Sequence, residues 1–307
     1  MTSPEKEGQS AQKGFRSGFV ALIGAPNVGK STLLNFMLGD KVSIVSPKPQ
    51  TTRNRILGVV HRPGAQIVVL DTPGIHRARG GLNRIMVDVA LKAAADVDVL
   101  VFMVDATRSG NASETLVLNS IKARKKRALL VVNKIDLVKK TDLLPILDKW
   151  RKAYDFATLV PLSAKTGDGV DILLNTLEAG LPLGPPYFPE DVISDSPERF
   201  IAAEMVREKV FELTSQELPY STAVTVEAFT EDEDKPLVRI HAVIHVERKT
   251  QKAILIGKQG VMLKEIGTRA RKEIEAMLGV KVFLELFVRV EKNWTSDPRA
   301  MRRLGYE

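Results

Sequence analysis

From residue 19 to residue 181, short apolar runs alternate with segments of helical period. The runs Phe19–Ile23, Ile56–Val60, Gln66–Leu70, Val99–Val104, Ala128–Val132 and Ala157–Leu162 predict strands. Several are apolar at successive positions, not at every second one, which marks strands covered on both faces. Apolar residues three and four apart over Leu82–Ala95, Ser113–Ala123 and Val170–Leu181 predict helices between them. Alternating β and α elements imply a mostly parallel sheet with helices on both faces. Ligands on such sheets bind beyond the carboxyl ends of the strands.

The pattern breaks at residues 181–190, where four prolines predict a stiff, extended connector. A helix is expected after it, with Ser196 as N-cap and Pro197 at its first position. Ile201, Met205, Val206, Val210 and Leu213 form its apolar stripe. Ile240, Ala242, Ile244 and Val246 alternate as in a half-buried strand, preceded by an acidic turn at Glu231–Asp234. Leu263, Ile266, Ala270, Ile274 and Met277 form a second helical stripe, and Val280–Val290 alternates cleanly. The order α-β-β-α-α-β describes an α+β domain. The expected layout is a disordered tail at 1–17, an α/β domain at 18–182, a linker at 183–196 and the α+β domain at 197–307 with a basic tail.

Composition narrows the function classes. The chain lacks cysteine, which excludes disulfides and thiolate metal sites and fits a reducing compartment. His61, His76, His241 and His245 have no zinc-ligand spacing; the last two read as the outer face of a strand. A net charge of +8 favours acidic partners, either nucleic acid or an anionic membrane surface. No apolar run reaches the roughly 18 residues of a membrane span, and the first 17 residues carry no apolar signal core, so the cytoplasm is the expected location.

Gly24, Ala25, Pro26, Asn27, Val28, Gly29, Lys30 and Ser31 stand between a predicted strand and a predicted helix, with Thr32 next. That is the context of a phosphate-binding loop, whose backbone N–H groups and helix N-terminus face negative charge. Lys30 is expected to reach the β- and γ-phosphates, and Ser31 to ligate Mg2+. Asp71-Thr72-Pro73-Gly74 follows the third strand; Asp71 is placed to hold Mg2+ and the Gly74 N–H to sense the γ-phosphate. Asn133-Lys134-Ile135-Asp136 follows the fifth. The Asp136 carboxylate accepts two hydrogen bonds from guanine and meets a lone pair on adenine. A charged hydrogen bond is worth about 1.5–3 kcal/mol, so such a site rejects the wrong base strongly. Asn133 is expected to bond the base and brace the phosphate loop, the Lys134 stem to lie along the ring, and Ser163-Ala164-Lys165 to offer an amide to the guanine carbonyl.

In the second domain, Ile256-Gly257-Lys258-Gln259-Gly260 lies between two helical patterns. Two glycines flanking a basic residue let a nucleic-acid backbone approach closely, as in the G-x-x-G clamp of KH domains, and α-β-β-α-α-β is the type II KH order. Lys249, Lys264 and Arg271 are candidate phosphate contacts, the alternative being a solvated basic face. Lys292, Arg299, Arg302 and Arg303 extend the phosphate contact or meet anionic lipid; Trp294 either stacks on a base or packs.

These segments, in this order, resemble the translation-factor class of small GTPases, and one GTPase module followed by one type II KH domain resembles its Era-like family of ribosome-assembly GTPases. The resemblance covers nearly the whole chain after residue 17. It implies an α/β P-loop GTPase domain that converts GTP to GDP and phosphate with Mg2+. By analogy Thr52, in the loop reading Thr51-Thr52-Arg53, joins the metal, Thr51 remaining open. Related GTPases with Asn at position 27 imply a K+ ion near the phosphates, unless Asn27 only shapes the loop. Catalysis would fall to Lys30, Thr52, Gly74 and Asn27. Ras-like enzymes carry a water-orienting glutamine where this chain has Ile75, so the hydrolytic water must be held otherwise. The resemblance further implies a monomer that binds 16S rRNA near its 3′ end, assists maturation of the small (30S) ribosomal subunit, and touches the inner membrane surface peripherally. The alternative is a regulatory GTPase whose second domain docks a protein or the membrane.

Overall fold

The computed structural model describes residues 14–77, 80–108, 110–124 and 127–306. Most of the expected tail lies outside these residues, but β1 (Arg16–Gly24) begins inside its predicted limit. The first domain continues with α1 (Lys30–Leu38), β2 (Ile56–Arg62), β3 (Ala65–Asp71), α2 (Gly81–Ala93), β4 (Val99–Asp105), α3 (Ala112–Arg124), β5 (Ala128–Asn133), α4 (Lys140–Ala153), β6 (Thr158–Pro161) and α5 (Val170–Gly180). The strands form one six-stranded sheet in the order β2-β3-β1-β4-β5-β6, parallel except for the β2–β3 pair. As the sequence pattern requires, the central strands are buried on both faces: α1 and α5 cover one, and α2, α3 and α4 cover the other. The chain leaves β1 first towards β3 and later returns to β4 on its other side. The carboxyl end of β1 is therefore the switch point where a ligand fits.

The second domain contains α6 (Glu198–Leu213), β7 (Ala223–Glu231), β8 (Leu237–Val246), α7 (Lys249–Ile256), α8 (Val261–Leu278), β9 (Lys281–Val290) and α9 (Pro298–Arg303). Its sheet, β7-β8-β9, is antiparallel between β7 and β8 and parallel between β8 and β9; the apolar faces of α6 and α8 pack on it. Pro197 has extended ψ, so α6 starts one residue later than the capping pattern predicts.

Three expectations change. The proline connector is extended, but it is laid on the first domain. Gln66 binds both N–H groups of Tyr187 and Phe188 and the Phe188 carbonyl, and the Val59 N–H donates to Ile193 O at 2.9 Å. The Val59 bond and the bridge of Gly58 with Ser194 cover part of the otherwise open edge of β2. His245 points with the outer face yet is buried, bonded to Thr225 Oγ1 at 2.9 Å and Glu291 at 3.1 Å; only His241 is solvent-facing. The basic C-terminal segment is a clasp: Trp294, Met301, Leu304 and Tyr306 pack with Leu82 and Met86 of α2. Trp294 is fully buried, stacks on Tyr306 and donates to Ser221 O, so it packs and does not meet bases. Among the described residues, no helix is long and apolar enough to cross a membrane.

Candidate functional site

The phosphate loop closes tightly. Asn27 and Gly29 have φ of 63° and 98°. A Cβ on Gly29 would lie 2.2 Å from Nδ2 of Asn133, and one on Gly74 2.7 Å from the backbone of Pro26, so neither position accepts a side chain. The Ile75 N–H donates to Gly24 O at 3.0 Å and draws the Asp71–Gly74 segment against the loop.

Lys30 is buried and donates to Ala25 O at 3.1 Å. Burial lowers its pKa to about 8 despite the attraction of Asp71. Ser31 Oγ donates to Asp71 Oδ2 at 2.6 Å and meets Thr52 Oγ1 at 2.8 Å; Ser43 adds a bond to the same oxygen. Burial raises the Asp71 pKa against the pull of Lys30 and the hydroxyls. Its other oxygen, Oδ1, is buried and has no hydrogen-bond partner among the described residues. An orphaned carboxylate oxygen beside two hydroxyls is the oxygen-only donor set that a hard cation such as Mg2+ takes. The Thr51 hydroxyl is spent on Lys48 O at 2.8 Å.

On the base side, Asn133 is buried. Its Nδ2 donates to Val28 O at 2.7 Å and its Oδ1 accepts from the Ala164 N–H at 2.9 Å, so one amide joins the phosphate loop to Ser163–Lys165. Lys134 stands at φ 66°, with Nζ 2.6 Å from Asp105. Asp136 is exposed and, among the described residues, its carboxylate has no hydrogen-bond or ion-pair partner. Ile75 is buried in the core and does not line the cavity that these segments border. Asn27 Nδ2 donates to Pro47 O at 2.6 Å, joining the phosphate loop to the threonine loop.

These segments border a cavity of about 420 Å3 lined by Pro26, Asn27, Gly29, Lys30, Ser31, Thr32, Thr51, Thr52, Gly74 and Lys134. Gly24, Ala25, Val28, Asp71 and Asn133 are buried and do not line it, and neither do Asp136 and Ser163–Lys165. Asp105, Thr107 and Arg108 also line it, although sequence reasoning passed over them. Their only signal was their place at the end of a buried strand.

The threonine loop is wired into the second domain. Arg53, next to Thr52, is 1% exposed; it donates to Thr222 O at 2.7 Å, Tyr220 O at 2.9 Å and Pro219 O at 3.0 Å. Phe211, Trp294 and Tyr306 surround its guanidinium at 5.7–6.0 Å. Arg207 of α6, paired with Glu204, donates to Thr51 O at 2.5 Å. Lys41 bridges Glu208 and Glu273, and Lys48 caps the carbonyls of Phe211 and Thr214. The charged face of α6 is thus as buried as its apolar face, against a loop that the periodicity of the helix could not reveal.

In the second domain, Gly257, Gln259 and Gly260 have φ of 72°, 53° and 80°, giving a sharp turn between α7 and α8. Lys258 and Gln259 are exposed at its tip, and Ile256 anchors it in the core. Gly260, Lys264, Thr268 and Arg271 line a cleft of about 380 Å3 whose floor is Leu284 and Leu286 of β9. Lys249, at the start of α7, does not line it.

A family model described as 50S ribosome-binding GTPase matches residues 19–134, and a KH domain model matches 217–295. GTPase Era of Geobacter metallireducens is 54% identical, covering 95% of this chain and 98% of that one; GTPase Era of Geotalea uraniireducens is 55% identical, covering 96% and 99%. A crystal structure of an Aquifex aeolicus Era variant bound to GDP and tetrafluoroaluminate superposes with a TM-score of 0.92 at 43% identity, covering 95% of this chain and 99% of that one. An Era structure in complex with MgGDPNP and nucleotides 1506–1542 of 16S ribosomal RNA gives 0.92 at 44%, with the same coverage.

Proposed function

The chain belongs to the Era family of GTPases, and from that premise we propose that it couples its guanine-nucleotide state to binding of 16S rRNA near the 3′ end, assisting maturation of the small ribosomal subunit. The observation that carries this reading is the adjacency of Thr52 and Arg53: one faces the phosphate pocket, the other is buried in the RNA-binding domain. Whatever moves Thr52 pulls on Arg53. The proposal places the protein in the cytoplasm as a monomer.

In this reading the loop amides and Lys30 hold the phosphates, and Asp136 and Asn133 select guanine with Ala164 beside them. Ser31, Thr52 and Asp71 would hold Mg2+, whose charge offsets that of the phosphates when bound. With Ile75 buried, backbone groups position the hydrolytic water, Gly74 among them. Asn27, joined to the threonine loop through Pro47, is the side chain offered to K+. Nucleotide-dependent ordering of the threonine loop then biases how the second domain sits and how open its cleft is. Lys258, Lys264 and Arg271 meet phosphates, and Gly257 and Gly260 let the backbone approach.

The test is fluorescence anisotropy with a labelled RNA of the 16S 3′ end and a scrambled control. Tighter binding of the 16S sequence with Mg-GDPNP than with GDP supports the proposal. Equal affinity for both RNAs, or in both nucleotide states, contradicts it.

A further inference from the structure

β4 and β5 run parallel in a register that sets Asp105 opposite Asn133, and the Ala106 N–H donates to Asn133 O at 2.9 Å. Asp105 therefore stands at the carboxyl end of its strand, level with the base-reading segment of the next. Its carboxylate cannot swing. Oδ1 accepts from the Thr107 N–H at 2.8 Å and the Thr107 hydroxyl at 2.6 Å, and Oδ2 accepts from Lys134 Nζ at 2.6 Å. The Asp105 side chain is 8% exposed and that of Lys134 30%. Burial alone would raise the carboxylate's pKa; the bonds from Lys134 and Thr107 hold it below its ordinary value.

Lys134 lies in the left-handed region, φ 66° and ψ 37°, a conformation that a non-glycine residue keeps only where its surroundings enforce it. Fixing its ammonium at one end and its strained backbone at the other stretches the aliphatic stem along the pocket wall that Asp105 and Thr107 also line. A stem so held presents a flat apolar surface to a planar base without losing rotamer freedom on binding. We infer that Asp105, clamped by Thr107, is a positioning residue of the guanine pocket: it holds Lys134 in the conformation that flanks the base. The inference rests on the reading of Asn133–Asp136 as the guanine site. It adds to that segment a residue 28 positions upstream.

A simple ion pair tying two strand ends would stabilise the fold and leave nucleotide affinity alone. A double-mutant cycle on the full chain separates the two roles, with affinity for a fluorescent GDP analogue and GTPase kinetics as readouts. Asp105→Asn should weaken GDP binding about tenfold, the loss of one charged contact, and raise KM while kcat at saturating GTP stays within about twofold. In a Lys134→Met background, the same change should cost less than about twofold, because its effect passes through the lysine. Thr107→Val should show the same split more weakly. Equal losses in both backgrounds, unchanged affinity in Asp105→Asn, or a fall in kcat with KM unmoved would each overturn the inference. Failure of the underlying guanine reading has its own signature, displacement of the GDP analogue by ATP as readily as by GTP, and takes the inference with it.

Discussion

Replacing Arg53 with alanine isolates the link between the nucleotide pocket and the RNA-binding domain. The guanidinium makes three bonds to the carbonyls of Pro219, Tyr220 and Thr222 and sits among three aromatic rings. Charged hydrogen bonds contribute about 1.5–3 kcal/mol each and a desolvated cation–π contact about 2, so the gross attraction is on the order of 6–11 kcal/mol. Against it stands the desolvation of a guanidinium with no carboxylate hydrogen-bonded to it, several kcal/mol in a buried site. The net is about 3 kcal/mol, or a factor on the order of 100 in the docking equilibrium. Arg53 neither touches the nucleotide pocket nor lines the RNA cleft, so GTP affinity and the affinity of the cleft should survive. What should fail is their coupling: the ratio of RNA affinities in the GDPNP and GDP states should fall to within about twofold of unity. Thermal unfolding should move to lower temperature, the remaining contacts of Arg207, Lys41 and Lys48 still holding the interface. Anisotropy titrations and differential scanning calorimetry read both effects. An undiminished affinity ratio and an unchanged unfolding profile would show that Arg53 does not carry the coupling.

Further outcomes follow from the two sites. Asp136→Asn should weaken GTP binding about 100-fold and shift preference towards xanthosine triphosphate, checked by competition titrations; loss of two charged hydrogen bonds sets the scale. Gly260→Asp adds a side chain into open space at φ 80°, so stability should fall by only about 1 kcal/mol, while a carboxylate in the cleft should reduce RNA affinity at least tenfold. Binding a triphosphate favours the charged form of Lys30, whose pKa burial lowers to about 8. Below pH 8 the lysine is already protonated and GTP affinity should be flat in that group. Above it each binding event takes up a proton and affinity should fall by up to about tenfold per pH unit, which calorimetry in buffers of different ionisation enthalpy detects. GTP hydrolysis should be faster in potassium than in sodium, and Asn27→Ala should abolish the difference.

Much of this was legible in the sequence because the relevant signals are local. Buried strands advertise themselves by continuous apolar runs, and the loops at their carboxyl ends carry residue types with few alternative uses, such as Gly29 and Lys30. The helix α4 was missed because Pro145 lies inside it and reads as a breaker; its stripe of Leu143, Ile146, Leu147 and Trp150 packs on the core, with only Trp150 fully buried. The connector's docking was invisible because backbone bonds to Val59 and the side chain of Gln66 hold it. Arg53, Arg207 and Asp105 read as ordinary polar residues; only the tertiary fold places each in a buried contact with residues far along the chain or on another strand. Composition left Trp294 open between base stacking and packing, and the fold decides for packing, its indole donating to Ser221 O; of the C-terminal arginines, Arg303 engages Glu291.

Ultraviolet crosslinking of the intact protein in growing cells, followed by sequencing of the attached RNA, shows which RNA the second domain holds. Reads concentrated at the 3′ end of 16S rRNA, and lost in Gly260→Asp, are the predicted result. Crosslinks spread over unrelated RNAs, or unchanged by that substitution, would contradict it.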